Sequence, residues 1–383
     1  MDGARGSVMS SARDRFVLIE NLADIAAAYG DGAAGRILAQ TIERIESALG
    51  SEIFHVELQP WGASVRTQAH NWTPVAAATL EAAVYFSARL PYSLPQGNIV
   101  TALAVSPTPP TGEERLALAA HLSVQQYRLA MSAAALAYSC LASGKLHLIE
   151  QPIRGARDKN AILYNECLSR LEGDGGQIIL PSVYIEALEE LGLTRAFDRF
   201  VIEATVNQLR RRPDAVLGCN VSSRSASLDT WWWTEFPNLV GEDEIAKRLV
   251  LEITETARAK SGAEIAALIS YVRGTGCRVA LDDFGSGFSS VGLARDADFD
   301  IIKIDGSYVR KKIADDLSTP LLHLLVELAG AIAPHVIVEG IEDEIDKALA
   351  VKSGAGWLQG YYLGVPAMPD NPGRIRADGE MRL

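Results

Sequence analysis

From residue 147 onward, short apolar runs alternate with amphipathic stretches along the chain. The runs have the length and β-branched content of buried strands, and the stretches between them repeat apolar residues with helical periodicity. Alternation of this kind is typical of βα units built around parallel strands. Eight strands are predicted, at residues 147–154, 162–168, 216–222, 249–254, 278–283, 300–305, 335–339 and 357–363.

Amphipathic helices are predicted between these strands, at residues 181–191, 196–211, 263–273, 320–332 and 344–352. Pro181 suits the first turn of a helix, and Gly192 and Gly274 suit C-terminal stops. Eight strands with intervening helices predict an α/β fold, a TIM-like (β/α)8 barrel.

The first 112 residues follow a different pattern, which predicts a smaller α+β domain. Strands are predicted at residues 16–19, 53–58, 63–67 and 99–105, and helices at 22–29 and 37–49. After a proline-rich loop at 107–112, a long helix over 113–143 is predicted to lead into the barrel. We therefore predict two domains, residues 1–140 and 141–383, with the boundary inside that helix.

Composition narrows the class of protein. A chain of 383 residues with 48% apolar residues is long and apolar enough for two folded domains. Its net charge of −12 argues against a nucleic-acid polymer as partner. The four cysteines form no CxxC pair, which favours reduced thiols over a zinc cluster. Residues 1–15 contain no apolar segment typical of a secretory signal, so we expect a cytoplasmic protein without membrane insertion.

Nearly every predicted strand of the barrel ends on a polar or charged residue, where barrel enzymes carry their catalytic groups. Asp282 and Asp283 are adjacent carboxylates, which repel each other unless a cation or proton lies between them. Mg²⁺ and Mn²⁺ favour oxygen ligands of this kind, so the pattern predicts a metal site at the barrel mouth. The residues at the other strand ends are Gln151, Glu166, Asn220, Glu252, Lys303, Asp305, Glu339 and Gln359.

The same segments, in the same order, resemble the EAL domain of bacterial cyclic di-GMP phosphodiesterases. The resemblance covers roughly residues 145–370 and implies hydrolysis of cyclic di-GMP to linear pGpG with two Mg²⁺ or Mn²⁺ ions. Its motifs here are Gln-Pro-Ile (151–153), Glu-Cys-Leu-Ser-Arg (166–170), Asn-Val-Ser (220–222), Glu-Ile-Thr-Glu (252–255), Asp-Asp-Phe-Gly (282–285), Lys-Ile-Asp (303–305), Glu-Gly-Ile-Glu (339–342) and Gln-Gly-Tyr (359–361).

The resemblance also implies a role for each residue. The first metal ion would be held by Glu166, Asn220, Glu252 and Asp282, and the second by Asp283. Lys303, Glu339 and Glu255 would be catalytic: Lys303 orients the attacking water, Glu339 acts as a base or lies in the metal shell, and Glu255 steadies the loop after Asp283. The substrate would be bound by Gln151, Leu168, Arg170, Asp305 and Gln359.

The sequence departs from the family pattern at three positions and retains every metal ligand. The usual Glu-Ala-Leu is Glu-Cys-Leu, Ser169 stands where an apolar residue is usual, and Phe288 replaces a Tyr in the loop after Asp283. Family likeness also implies a homodimer through the EAL domain, formed by the segment after Asp283 and its neighbouring helix.

Residues 20–38 resemble the opening of a GGDEF domain. Leu18, however, stands where that family has a metal-binding Asp, Ala26 and Ala27 replace its Asn-Asp, and no Gly-Gly-Asp-Glu-Phe occurs in the chain. The resemblance therefore implies a degenerate, regulatory domain rather than a cyclase.

Two other functions stay open on the sequence. The barrel could be a non-catalytic receptor for cyclic di-GMP, or a partner could bind at Trp231–Trp233, although a helix that packs two of these rings is the favoured interpretation. A protein kinase is excluded, because Asp283-Phe284-Gly285 lacks the accompanying His-Arg-Asp.

Overall fold

The computed structural model describes residues 14–50, 53–68, 71–112, 119–226, 228–241, 243–254, 262–286, 290–310 and 318–369. The chain forms two compact units. The first contains the residues up to Ser143 together with Ser182–Ala196 and Asp229–Glu235, and the second contains the remainder. The predicted domain boundary at residue 140 stays a prediction.

The N-terminal part of the first unit has the predicted α+β composition. In chain order the elements are β1 (Asp14–Ile19), α1 (Leu22–Tyr29), α2 (Asp31–Leu49), β2 (Phe54–Gln59), β3 (Gly62–Thr67), α3 (Pro74–Ala88), β4 (Tyr92–Leu94), β5 (Gly97–Ile99), β6 (Leu103–Ser106) and α4 (Val124–Ala142). The four-stranded sheet has the order β2-β3-β1-β6, in which all neighbours are antiparallel, and β4 and β5 form a separate hairpin.

Two sequence predictions were wrong in this unit. The predicted strand 99–105 is divided into β5 and β6, because the Asn21 side chain donates to the Val100 carbonyl at 3.0 Å and accepts from the Ala102 amide at 2.9 Å. The predicted helix 113–143 begins only at Val124, where Ser123 and Gln126 form a capping box. Residues 113–118 of that prediction lie outside the described residues.

The second unit contains the predicted barrel. After α4, the elements of the chain are β7 (Leu146–Gly155), β8 (Ile162–Glu172), β9 (Ile178–Ile179), α5 (Ile185–Glu190), α6 (Thr194–Arg211), β10 (Leu217–Ser222), α7 (Thr230–Val240), α8 (Asp243–Ala246), β11 (Leu249–Thr254), α9 (Gly262–Gly274), β12 (Arg278–Phe284), α10 (Ser290–Asp296), β13 (Ile301–Ile304), α11 (Ser307–Arg310), α12 (Ser318–Ile332), β14 (His335–Val338), α13 (Glu344–Lys352) and β15 (Trp357–Leu358). Of these, α5 and the beginnings of α6 and α7 belong to the first unit. Eight strands run in the order β10-β11-β12-β13-β14-β15-β7-β8, and a further pairing of β8 with β10 closes the ring.

The barrel differs from the prediction in two details. Its first strand, β7, is antiparallel to both of its neighbours, β15 and β8, whereas parallel strands were expected. The last predicted strand ends at Leu358 instead of Leu363, because the chain turns at Gly360. A Cβ at Gly360 would overlap the backbone of Ile341, so this close approach requires glycine.

A layer of apolar side chains fills the barrel beneath its C-terminal mouth. Successive side chains of a strand point to opposite faces, so the residue two positions later lies on the same face, one step nearer the mouth. In five strands that later residue is a predicted site residue: Glu166, Glu252, Asp282, Lys303 and Glu339 follow the core residues Tyr164, Val250, Ala280, Ile301 and Ile337. The register of the barrel therefore brings these polar groups into one layer.

The tryptophan segment packs largely into the protein. Trp231 and Trp232 are buried, with their rings edge to face at 5.0 Å, and Trp233 is 55% exposed. This agrees with the favoured interpretation of a helix that packs two of its rings. None of the helices within the described ranges combines the length and hydropathy needed to cross a membrane.

We expect Gly360→Ala to lower the free energy of unfolding by about 3 kcal/mol, because the added methyl group overlaps backbone atoms that cannot rotate away. Gly330→Ala is the matched control: it lies in α12, where a Cβ has no neighbour closer than 4.0 Å, and helix propensity predicts a gain of up to about 1 kcal/mol. Urea unfolding followed by circular dichroism measures both. Equal stability of the two variants would contradict the close approach at Gly360.

Candidate functional site

The ammonium group of Lys303 lies in a ring of buried carboxylates at the barrel mouth. Its Nζ is 2.5 Å from Glu252 Oε2, 2.8 Å from Glu339 Oε1, 3.0 Å from Asp282 Oδ1 and 3.4 Å from Glu166 Oε2. The Lys303 side chain is only 1% exposed. A single cation thus contacts four carboxylates, each from a different strand or strand end.

Three side-chain amides extend this ring. Asn220 Nδ2 donates to Glu166 Oε1 at 2.7 Å, and Gln359 Nε2 donates to Glu166 Oε2 at 2.6 Å. Gln359 Nε2 also lies 3.3 Å from Gln151 Oε1, and Gln151 donates to the Gly364 carbonyl at 3.1 Å. Both oxygens of Glu166 are therefore oriented by amide donors, Asn220 from the adjacent strand β10 and Gln359 from the end of β15.

Within the ring, the surrounding carboxylates favour the charged form of Lys303, and burial disfavours the ionised form of the carboxyl groups. Burial lowers the pKa of Lys303, but the surrounding carboxylates outweigh burial and raise this pKa well above its ordinary value. Burial raises the pKa of Glu252 and Asp282, and it raises that of Glu339 to about 8. Burial acts on Glu166 in the same direction, yet Lys303 and the two amides lower the pKa of this carboxyl group overall.

The donor atoms fit divalent cations. Glu166, Glu252 and Asp282 each offer an oxygen within 4.8 Å of the others, as do Asp282, Asp283 and Glu339. In addition, Asn220 Oδ1 and Glu252 Oε1 are buried and accept no hydrogen bond from any described residue. Buried oxygens without donors are costly unless a cation coordinates them. The two groups of carboxylates share Asp282.

Asp283 reaches the ring only because the backbone leaves regular strand geometry. In a regular strand Asp282 and Asp283 would point to opposite faces. Asp283 instead has a φ of 55°, and the register between β12 and β13 shifts between Leu281 and Phe284. The chain turns after Asp283, and the Ser286 hydroxyl stabilises this turn by donating a hydrogen bond to the Asp283 carbonyl at 2.8 Å. Burial, followed by the charges of Asp282 and Asp305, raises the pKa of Asp283 to about 6.

The predicted site residues are not all brought together. Leu168 and Arg170 lie on the same face of β8 as Glu166 but further along the strand, beyond the ring. Asp305 accepts a hydrogen bond from the Ser307 amide at 2.9 Å, at the start of α11. Glu255 and Phe288 lie outside the described residues.

Three residues around the site were not predicted from the sequence. Tyr164 is fully buried directly beneath Glu166, and strand alternation was the available signal for it. A Cβ at Gly218 would lie 2.5 Å from both Glu252 Oε1 and the Tyr164 ring, so this glycine makes room for them. Tyr308 donates a hydrogen bond to the Gly285 carbonyl, in the turn after Asp283; no local pattern predicts this contact.

Comparisons with known proteins identify relatives of this chain. The profile of the EAL domain family matches residues 133–366. The cyclic di-GMP phosphodiesterase PdeF of Escherichia coli is 28% identical over 57% of this chain and 30% of its own length. The probable cyclic di-GMP phosphodiesterase PdeA of the same organism is 32% identical over 60% of this chain and 31% of its own length. The chain thus spans less than a third of the length of these two relatives.

Solved structures agree with the barrel fold. An EAL domain protein from Listeria monocytogenes is 24% identical, with a TM-score of 0.53, over 60% of this chain and 91% of its own. The FimX EAL domain of Pseudomonas aeruginosa, bound to cyclic di-GMP, is 23% identical, with a TM-score of 0.52, over 63% of this chain and 98% of its own. At this identity the likeness concerns the fold.

We expect the free energy of unfolding of the chelator-treated protein to fall as pH rises from about 5 to 8. The pKa values of Asp283 and Glu339 are raised to about 6 and about 8, so the folded state binds more protons than the unfolded chain in this window. The free energy of unfolding must therefore decrease as these protons dissociate with rising pH. Lys303 stays charged throughout, because its pKa is raised further.

Urea unfolding at a series of pH values measures this slope. Glu339→Gln should flatten it, because the amide has no proton to lose, whereas Glu264→Gln on the exposed side of α9 should leave it unchanged. If Glu339→Gln keeps the full slope, the assignment of the proton to this cluster is wrong.

Proposed function

This chain belongs to the EAL domain family, and we propose that it hydrolyses cyclic di-GMP to linear pGpG. The observation that carries the proposal is the ring of four carboxylates around buried Lys303, next to amide and carboxylate oxygens that fit two cations. The names of the PdeF and PdeA relatives supply the substrate. Core packing does not account for such a ring, since each buried carboxylate needs a compensating charge.

Two divalent cations, Mg²⁺ or Mn²⁺, fit the site in the proposed mechanism. Glu166, Asn220, Glu252 and Asp282 would hold the first, and Asp283 the second, with Asp282 shared between the two carboxylate groups. Bound there, the cations would supply Lewis-acid activation of the phosphodiester and lower the pKa of a water molecule.

The residues of the chain itself carry the proton and the phosphate in this proposal. Glu339 has its pKa raised to about 8, so its carboxylate is suited to accept a proton from the attacking water. The water oxygen forms a bond to phosphorus, the bond from phosphorus to the leaving sugar oxygen breaks, and the proton passes to that oxygen. Lys303, which keeps its charge at neutral pH, would orient the water and balance the charge on the phosphate.

Residues beyond the ring would bind the rest of the dinucleotide. Arg170 and Leu168 lie on the face of β8 that leads out of the mouth, where the guanidinium fork of Arg170 suits a phosphate oxygen. Gln151, on the strand β7 next to β8, and its partner Gln359 would contact a guanine edge, and Asp305 would act from the start of α11. Glu255 is kept as a proposed positioning residue for the loop after Asp283.

The remaining organisation is proposed from the family resemblance. Residues 1–140 would form a degenerate GGDEF-like regulatory domain with a linker helix, and residues 141–383 the phosphodiesterase domain of a cytoplasmic protein. A homodimer through the second unit is supported by an exposed apolar stripe on α12, where Leu321, Leu324 and Leu328 are 45%, 59% and 39% exposed. Val291, on α10 after Asp283, is 49% exposed as well.

The purified chain with Mn²⁺ should convert cyclic di-GMP to pGpG, measured by chromatography. We expect Lys303→Met and Glu252→Gln to reduce the turnover number at least about 100-fold, because Lys303 would balance the charge on the phosphate and Glu252 would hold the first cation. Calorimetry with Mn²⁺ alone should show binding to the native chain and greatly weakened binding to Glu252→Gln.

The matched control is Glu172→Gln, which changes a carboxylate on β8 that pairs with His147 at 2.9 Å, away from the ring. Its turnover and Mn²⁺ affinity should match the native chain. Binding of cyclic di-GMP without any product, in the presence of Mn²⁺, would reject hydrolysis in favour of a receptor.

For the dimer, we expect Leu324→Glu to yield a monomer in light scattering coupled to size exclusion, because a charge in the apolar stripe opposes its burial. Ile162→Glu, which changes a residue 49% exposed at the start of β8, should stay dimeric. A native chain that is monomeric at high micromolar concentration would overturn the dimer proposal.

A further inference from the structure

A cavity of about 360 Å³ lies in the first unit, formed by residues that the proposed hydrolysis does not use. Its walls come from the end of β1, the facing turns of α1 and α2, the turn between β2 and β3, and Pro110. Cavities of this size hold small organic ligands. Trp61 and Pro60, from the β2–β3 turn, contribute to its wall.

Small side chains on the two helices leave room for the cavity. Ala23 and Ala26 line it from α1, and Ala34 and Gly35 line it from α2, beside Leu22 and Leu38 of the same helices. Because the alanines and the glycine carry at most one side-chain carbon each, space remains in front of β1. Larger residues at these positions would close the cavity.

Hydrogen bonds hold the walls in place without a ligand. The Ile19 amide donates to the Trp61 carbonyl at 3.0 Å, which joins the β2–β3 turn to the end of β1. A Cβ at Gly62 would overlap the Val17 carbonyl, so glycine permits this close approach. On the other side of β1, Asn21 bonds to the backbone of residues 100 and 102. A preformed cavity binds with little ordering cost.

The lining is apolar and negatively charged. Two carboxylates, Glu20 and Asp31, line the cavity, and among the described residues its lining includes no Lys, Arg or His. Glu20 is neutralised by Arg195, with Oε2 and Nη1 3.2 Å apart. Asp31 is exposed at the first turn of α2 and forms no ion pair with a described residue. A phosphate-bearing ligand would be repelled here, whereas a cation would be attracted.

From this lining we infer that the cavity is a binding site for a small aromatic amine, with the ring among the apolar walls beside Trp61 and the ammonium group near Asp31. An aromatic ring can pack against Trp61, and the ammonium group supplies the positive partner that Asp31 does not have among the described residues. This site shares no residue with the proposed hydrolysis, and it would make the first unit a receptor for something other than a nucleotide.

Three probes of nearly the same shape test the charge preference on the full chain: tryptamine, 3-ethylindole and indole-3-propionate, which are positive, neutral and negative. Titration calorimetry should show tryptamine binding about fivefold more tightly than 3-ethylindole, which is the size of one exposed ion pair. Indole-3-propionate should bind most weakly. Tryptamine that binds no better than indole-3-propionate, or that does not bind at all, overturns the proposal.

Two pairs of variants locate the site. Ala34→Leu should weaken tryptamine at least about tenfold by filling the cavity, and Ala39→Leu, at an exposed position of α2 outside the lining, should not. Asp31→Asn should abolish the preference for tryptamine over 3-ethylindole, and Glu43→Gln, exposed on the same helix, should keep it. If Ala34→Leu does not fold, the surface variant Asp31→Asn still tests the site. A preference for tryptamine over 3-ethylindole that is unaltered in Asp31→Asn contradicts the inference.

Discussion

The structure of the second unit depends on one buried ammonium group. Lys303 is 1% exposed and touches carboxylates that would otherwise repel one another inside the barrel mouth. Removing one partner of a buried ion pair typically costs about 3–5 kcal/mol, because an uncompensated charge is left behind. One positive charge cannot balance four or five carboxylates, however. The same interaction that permits the ring to form therefore leaves it short of positive charge, which is the condition for binding cations.

Strand alternation places these groups at the barrel mouth. A glycine at position 218 and a break in the alternation at Asp283 complete the arrangement. Apolar residues two positions earlier fill the layer below, so that Glu252, for example, lies above the core residue Val250. Gly218 gives the space that Glu252 and Tyr164 occupy. At Asp283 the alternation is broken by a positive φ and a register shift, and only this break lets two consecutive carboxylates serve one site.

The first unit carries a preformed cavity in front of β1, lined mainly by apolar side chains such as Leu18 and Ala26. Backbone hydrogen bonds at Ile19 and the side chain of Asn21 hold its walls. Asp31 adds a negative charge to this lining. An apolar lining with a carboxylate is the basis of the inference that this cavity binds an amine.

The sequence by itself determined the barrel class, the eight polar strand ends and the family, because these depend on local periodicity and on short motifs. Tertiary structure alone decided that β7 runs antiparallel, that Asn21 interrupts a predicted strand 79 residues away, and that Arg170 lies beyond the ring. It also decided that Glu166 and Lys303, 137 residues apart, form one ion pair. Such contacts join distant segments, and local patterns carry no information about which distant partner satisfies a hydrogen bond or a charge.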